Sequence, residues 1–194
     1  MRPITEDELT LLQGLKLTPS EQDDLSGINH PAQRVEWLAC RMAVRQLIEL
    51  QQVRYAGLHK DLFGKPHLVG LPWSISLSHT GGWAAAVLHR SRPVGIDIEP
   101  IRDQFQRVVP RVLSIDEITH ANGDAGRLAV YWCAKEALYK LYGKRNLTFR
   151  DHLYIEPFAD GASVLIGHVR LPNHEAKLTI RCLQTGPGLL AVAF

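Results

Sequence analysis

Asp97 and Glu99 lie two positions apart in Gly95-Ile96-Asp97-Ile98-Glu99, a segment of alternating polarity. On a strand, residues i and i+2 face the same way, so both carboxylates stand together while Ile96 and Ile98 enter the core. Two like charges this close to a buried strand are costly unless a cation joins them. Oxygen-only donors select Mg2+ or Mn2+; the competing reading is a solvated strand end. A second group is Trp132-Cys133-Ala134-Lys135-Glu136-Ala137-Leu138-Tyr139-Lys140. On a helix Glu136 and Lys140 share a face, with Trp132 one turn earlier. Alone this is a surface ion pair; it becomes chemistry if Glu136 joins Asp97 and Glu99 around a metal. A third group, Ser76-Leu77-Ser78-His79-Thr80, puts His79 at a strand exit, where it suits a phosphate oxygen or is plain polar surface. Ser78 and His79 face apart on a strand and lack a nucleophile elbow, which excludes a hydrolase pair. A fourth is the rigid cationic turn Phe63-Gly64-Lys65-Pro66, with Arg34, Arg41 and Arg45 spaced by seven and four on one helical face. Both can grip phosphates, although no P-loop pattern is present.

The elements that must carry these residues are legible from periodicity and punctuation. Residues 5–27 read as short acidic helical segments, with Thr18-Pro19-Ser20-Glu21 a helix start. Pro31 to about Gln51 is a long amphipathic helix with Val35, Leu38, Val44 and Ile48 on its apolar stripe. Gly64, Pro66, Gly70 and Pro72 mark turns around a short Lys65–Val69 segment. Residues 74–78, 83–88 and 94–99 are three strand signals separated by Gly81-Gly82 and Ser91-Arg92-Pro93, which predicts an antiparallel meander. Ser114 and Glu117 form a capping signal for a short helix over 114–120. A second long helix runs from about Asp124 to Tyr142 and stops at Gly143. Strands are expected near 153–156, 163–169, 177–183 and 189–194. The order is helix then strands, twice, which predicts two similar α+β halves, 1–99 and 100–194.

Composition narrows the classes further. The 194 residues are 45% apolar and 22% charged, ordinary values for a globular protein. A formal net charge of +2 excludes a general nucleic-acid binder. The charge is uneven, however: residues 101–150 hold 9 Lys/Arg against 5 Asp/Glu, whereas the flanking stretches are each slightly acidic. Cys40, Cys133 and Cys182 match no metal or redox spacing and read as buried thiols in a reducing compartment. The nine histidines show no HxxxH or HxH pairing, which argues against zinc. The start, Met1-Arg2-Pro3-Ile4-Thr5-Glu6, has no apolar stretch of a signal peptide, and no window approaches a membrane span. A cytoplasmic protein without membrane contact is the expectation.

The order and spacing of Gly64-Lys65-Pro66, Ser78-His79, Gly-Ile-Asp-Ile-Glu at 95–99 and the Trp132–Lys140 motif resemble the 4'-phosphopantetheinyl transferases. The match is to the monomeric surfactin-synthetase-activating type and spans roughly residues 30–145. The resemblance implies a pseudo-dimer of two α+β halves, each a long helix on a small, mainly antiparallel sheet, with coenzyme A bound between them. It implies transfer of 4'-phosphopantetheine from coenzyme A to a serine of an apo acyl, peptidyl or aryl carrier protein, releasing 3',5'-ADP. Asp97, Glu99 and Glu136 would then hold Mg2+ (or Mn2+), and Glu136 and Lys140 would be catalytic. Arg34 or Arg41, Lys65, Pro66, Ser78, His79, Asp97 and Lys140 would contact coenzyme A. Carriers of this kind are acidic, so Arg102, Arg107 and Arg111 in the basic stretch are expected to help dock one. A non-catalytic relative would need to have lost a metal ligand or the lysine, and all four residues are present.

Overall fold

The computed structural model describes residues 1–100, 111–172, 174–186 and 188–194. The chain divides into two compact units, Met1–Pro93 and Val94–Phe194. Among the described residues no helix is long and apolar enough to cross a membrane.

In the first unit, helices α1 (Glu8–Gly14), α2 (Pro19–Ser26) and α3 (Pro31–Glu49) accompany strands β1 (Arg2–Pro3), β2 (Leu58–Lys60), β3 (Pro66–Leu68), β4 (Ser74–Thr80) and β5 (Trp83–His89). α2 starts at Thr18, whose hydroxyl accepts from the Glu21 amide while the Glu21 carboxylate accepts from the Thr18 amide. Leu38, Ala39 and Cys40 of α3 meet Leu11, Leu15 and Leu25 in one core cluster, and Val44 and Ile48 meet Leu58, Leu68 and Ile75 in another. The sheet order is β1-β5-β4, with β2 and β3 a separate antiparallel pair.

The second unit holds strands β6 (Gly95–Glu99), β7 (Leu153–Ile155), β8 (Val164–Leu171), β9 (His174–Thr185) and β10 (Gly188–Ala193) in one antiparallel sheet, ordered β6-β10-β9-β8-β7. Among the described residues it also holds helices α4 (Ile115–Ala121), α5 (Ala125–Tyr142) and α6 (Phe149–His152). The expected capping signal is present in full: Glu117 N donates to the Ser114 hydroxyl at 3.3 Å, and Ser114 N donates to Glu117 Oε2 at 2.7 Å. Ser114→Ala is therefore expected to cost about 1 kcal/mol of stability in a urea titration. α5 begins at the Asp124 cap and ends at Gly143, whose φ of +73° suits glycine.

α5 is buried on more than one side because Lys135, itself fully buried, is answered polar atom for polar atom. Its ammonium donates to Glu117 Oε2 at 2.6 Å, Val112 O at 2.8 Å and Phe149 O at 3.0 Å. Glu117 Oε1 in turn accepts from the Ile155 amide at 2.9 Å. A buried ion pair is tolerated when every donor and acceptor is satisfied in this way.

The expected three-strand meander is corrected. β4 and β5 do pair antiparallel, from Ser74↔His89 to Thr80↔Trp83. β6 instead pairs with β10, in register Gly95↔Ala193, Asp97↔Ala191 and Glu99↔Leu189. The other edge of β5 is taken at its start by β1, with Arg2 opposite Ala84. At the far end of β5, His89 Nδ1 accepts from the amides of Ser91 and Arg92, which ends the strand locally. β6 thus belongs to the second compact unit, Val94–Phe194.

Candidate active site

Pairing with β10 decides which side of β6 the carboxylates occupy. Asp97 and Glu99 share a face with Gly95, and a Cβ on Gly95 would run into the backbone of α5 at Ala137 O and Leu141 N. The carboxylates therefore sit on the α5 side, and Ile96 and Ile98 are buried on the other. On β10, Ala193 and Ala191 stand opposite Gly95 and Asp97, both alanines fully buried, which lets the helix approach closely, while Leu189 stands opposite Glu99. Cys133 of α5 seals that approach, its thiol donating to Asp97 O at 3.3 Å. Burial pushes the Cys133 thiol well above its ordinary range, with the Asp97 charge adding to the effect, so it packs as a neutral group.

The helical spacing brings three polar side chains of α5 to this face. Lys140 Nζ donates to Asp97 Oδ1 at 2.6 Å, an ion pair with Asp97 almost wholly buried and Lys140 partly open. Trp132 Nε1 donates to Glu99 Oε1 at 3.3 Å. Glu136 lies between them along the helix. Burial raises its carboxyl to about 7, the charge of Asp97 and then that of Glu99 push the same way, and Lys140 opposes them. A carboxyl titrating near neutrality can accept a proton at working pH, as a general base must.

The donor chemistry suits a hard divalent cation. Three carboxylates lie in electrostatic reach of one another, with the Lys140 ammonium on Asp97, and a divalent cation would relieve their repulsion. Among the described residues no three such side chains stand together as a ready-closed metal cage.

The remaining predicted site residues belong to the first unit, each in its own setting. Lys65 and Pro66 lie in and after a turn built on Asp61, whose Oδ1 accepts from the amides of Phe63 at 2.9 Å and Lys65 at 3.0 Å. Burial lowers the Lys65 ammonium, partly offset by Asp61. Ser78 is buried in β4, and His79 next to it is exposed, with Nδ1 at 3.3 Å from Glu36 Oε2. The arginines do not form the open cationic face that their spacing predicts. Arg41 is buried, 3.1 Å from Glu21 Oε1, with its guanidinium over the Trp37 ring. Arg34 pairs with Glu8 at 2.6 Å and donates to Leu25 O and Ile28 O, tying α1 and the end of α2 to α3. Arg45 pairs with Glu49 at 2.7 Å. These carboxylates come from elements distant in sequence or from the same helix, and no local pattern announced Glu21 as the partner of Arg41. Of the basic stretch, Arg102 and Arg107 lie outside the described residues, and Arg111 is exposed.

Two roles were not apparent from sequence: the Trp132–Glu99 hydrogen bond and the Lys135–Glu117 pair. The face shared by Trp132 and Glu136 was a signal for the first. For the second, Glu117 read only as half of a helix cap.

Comparison with known proteins points to one family. Residues 93–183 match the family model described as the 4'-phosphopantetheinyl transferase superfamily. The 4'-phosphopantetheinyl transferase psf-1 of Bacillus pumilus is 32% identical over 130 residues, covering 64% of this chain and 54% of that protein. The 4'-phosphopantetheinyl transferase AcpT of Salmonella typhi is 35% identical over 120 residues, 57% of this chain and 59% of that protein. The chain thus spans little more than half the length of the curated relatives it matches. Residues 93–183, which contain β6, α5 and all three carboxylates of the candidate site, are thus the part of the chain similar to the 4'-phosphopantetheinyl transferase superfamily.

Proposed function

We propose that the protein is an enzyme that moves the 4'-phosphopantetheine group from coenzyme A to a serine hydroxyl of an apo carrier protein, leaving 3',5'-ADP. The observation that carries this reading is Glu136, held near neutrality beside Asp97 and Glu99 with Lys140 on Asp97. Asp97, Glu99 and Glu136 would hold Mg2+, which supplies Lewis acidity and screens the charge of the pyrophosphate. Glu136 takes the proton from the serine hydroxyl, whose oxygen attacks the β-phosphorus as the bond to the ADP oxygen breaks. Lys140 offsets the negative charge that gathers on that leaving oxygen. Lys65, Pro66, Ser78 and His79 are assigned to coenzyme A contacts. Of the two arginines, Arg34 is the better candidate for the 3'-phosphate, because freeing Arg41 would strand Glu21 buried and charged.

The surfactin-synthetase-activating type, the pseudo-dimer of two α+β halves with coenzyme A shared between them, and a monomeric state belong to the same proposal. So does an acidic carrier surface met by Arg102, Arg107 and Arg111. The test is direct: with coenzyme A and Mg2+, an apo carrier should gain the mass of one phosphopantetheine, and EDTA should abolish the gain. A folded protein that modifies none of several acyl and peptidyl carriers would refute the assignment.

A further inference from the structure

We propose that Trp132 is a positioning residue whose indole N–H presets the Glu99 carboxylate for a divalent cation, with Phe149 bracing the indole. The inference rests on the proposed function and extends it to a residue outside the donor set. Asp97 and Glu99 differ in how they are held. Asp97 has a short side chain, is buried, and is anchored by Lys140 at 2.6 Å. Glu99 stands at the end of β6, half-buried, on a side chain with one more rotatable bond. Left to itself such a side chain loses rotamer freedom when it binds a metal. The hydrogen bond from Trp132 Nε1 at 3.3 Å already restricts it, and a neutral donor does so without cancelling the negative charge a cation needs.

The indole is itself fixed. Its ring stacks on Phe149, with centroids 6.1 Å apart and planes at 21°, and Phe149 also meets Tyr139 at 5.2 Å. The Phe149 carbonyl is held by Lys135 at 3.0 Å, the same ammonium that pairs with Glu117. A chain of contacts therefore runs from the buried ion pair through two aromatic rings to a metal-facing carboxylate. Trp132 and Glu136 lie one turn apart on α5, so one rigid helix sets the position of two of the three carboxylates.

The experiment uses the full chain without carrier and titrates it with Mn2+, free metal being read by electron paramagnetic resonance. Trp132→Phe keeps an aromatic ring against Phe149 and removes the N–H. It is expected to weaken Mn2+ binding about tenfold. In a Glu99→Ala background the same change should have no further effect, because the group it acts on is gone. A second readout does not depend on that variant folding: the indole N–H proton resonance of Trp132 should move upfield in Glu99→Ala. If wild type binds Mn2+ and modifies a carrier while Trp132→Phe binds Mn2+ equally well, the positioning role is overturned. An indole resonance unmoved by Glu99→Ala overturns it too. If wild type neither binds Mn2+ nor modifies any carrier, it is the proposed function that fails.

Discussion

Glu136→Gln is expected to lower carrier modification by roughly two to four orders of magnitude, the range for loss of a general base, while making the metal-free protein more stable above neutral pH. The two effects share one cause. The Glu136 carboxyl rises from its ordinary 4.5 to about 7, chiefly through burial and then through Asp97. An acid whose pKa is higher folded than unfolded binds its proton more tightly in the folded state. Its favourable contribution is therefore complete below about pH 4.5 and is lost as pH climbs through 7. The loss amounts to at most about 3 kcal/mol at 1.36 kcal/mol per pKa unit. Glutamine is neutral at every pH and escapes it. Urea titrations of both proteins in EDTA at pH 5 and pH 8 isolate this term together with its coupling to Asp97, Glu99 and Lys140, since groups not coupled to Glu136 cancel in the difference. Wild type should fall relative to the variant between the two pH values. Equal pH dependence, or a variant that keeps normal turnover, would remove Glu136 from the role given to it.

The second large effect is expected at Gly95. Alanine inside a strand is ordinarily more stable than glycine by about 0.5–1 kcal/mol, because the unfolded chain has less freedom to lose. At Gly95 the sign should reverse. The added Cβ would overlap Ala137 O, stand 2.5 Å from Leu141 N and lie 3.0 Å from Ala137 C, all backbone atoms of α5. No side-chain rotation can relieve backbone atoms, so either β6 or α5 must shift. A destabilisation of about 3 kcal/mol or more is expected, at the upper end for overpacking. Because Gly95 precedes Asp97 by one side-chain repeat on the same face, the shift would also pull Asp97 away from Lys140. Denaturant titration checks the first effect and carrier modification the second. A change under about 1 kcal/mol would show that the helix rides further from the strand.

These two residues show what the sequence could and could not disclose about the site. The facing of Asp97 with Glu99, and of Trp132 with Glu136 and Lys140, follows from the periods of strand and helix, which are fixed by backbone geometry. Helix limits at Asp124 and Gly143 and the cap at Ser114 and Glu117 were equally readable, because caps are local. The pairing of β6 with β10 was not, since its partner lies some ninety residues away and neighbouring turns favoured a meander. The same holds for the arginines of α3. Their spacing was correct, but whether they face solvent depends on Glu8 and Glu21, carboxylates delivered by other helices. Gly95 carried no local mark of necessity, because its reason is the distance to a helix forty residues downstream.

The three free cysteines are all buried, Cys40 in the first unit and Cys133 and Cys182 in the second. Burial raises the Cys133 thiol and pushes that of Cys182 to about 12, so neither reacts while the unit is closed. A brief pulse of an alkylating reagent followed by intact-mass measurement therefore counts openings separately. One adduct marks molecules whose first unit has opened, two adducts mark the second, and three mark both. The thiols make the protein a built-in reporter of which unit lets go first under heat, denaturant or metal removal.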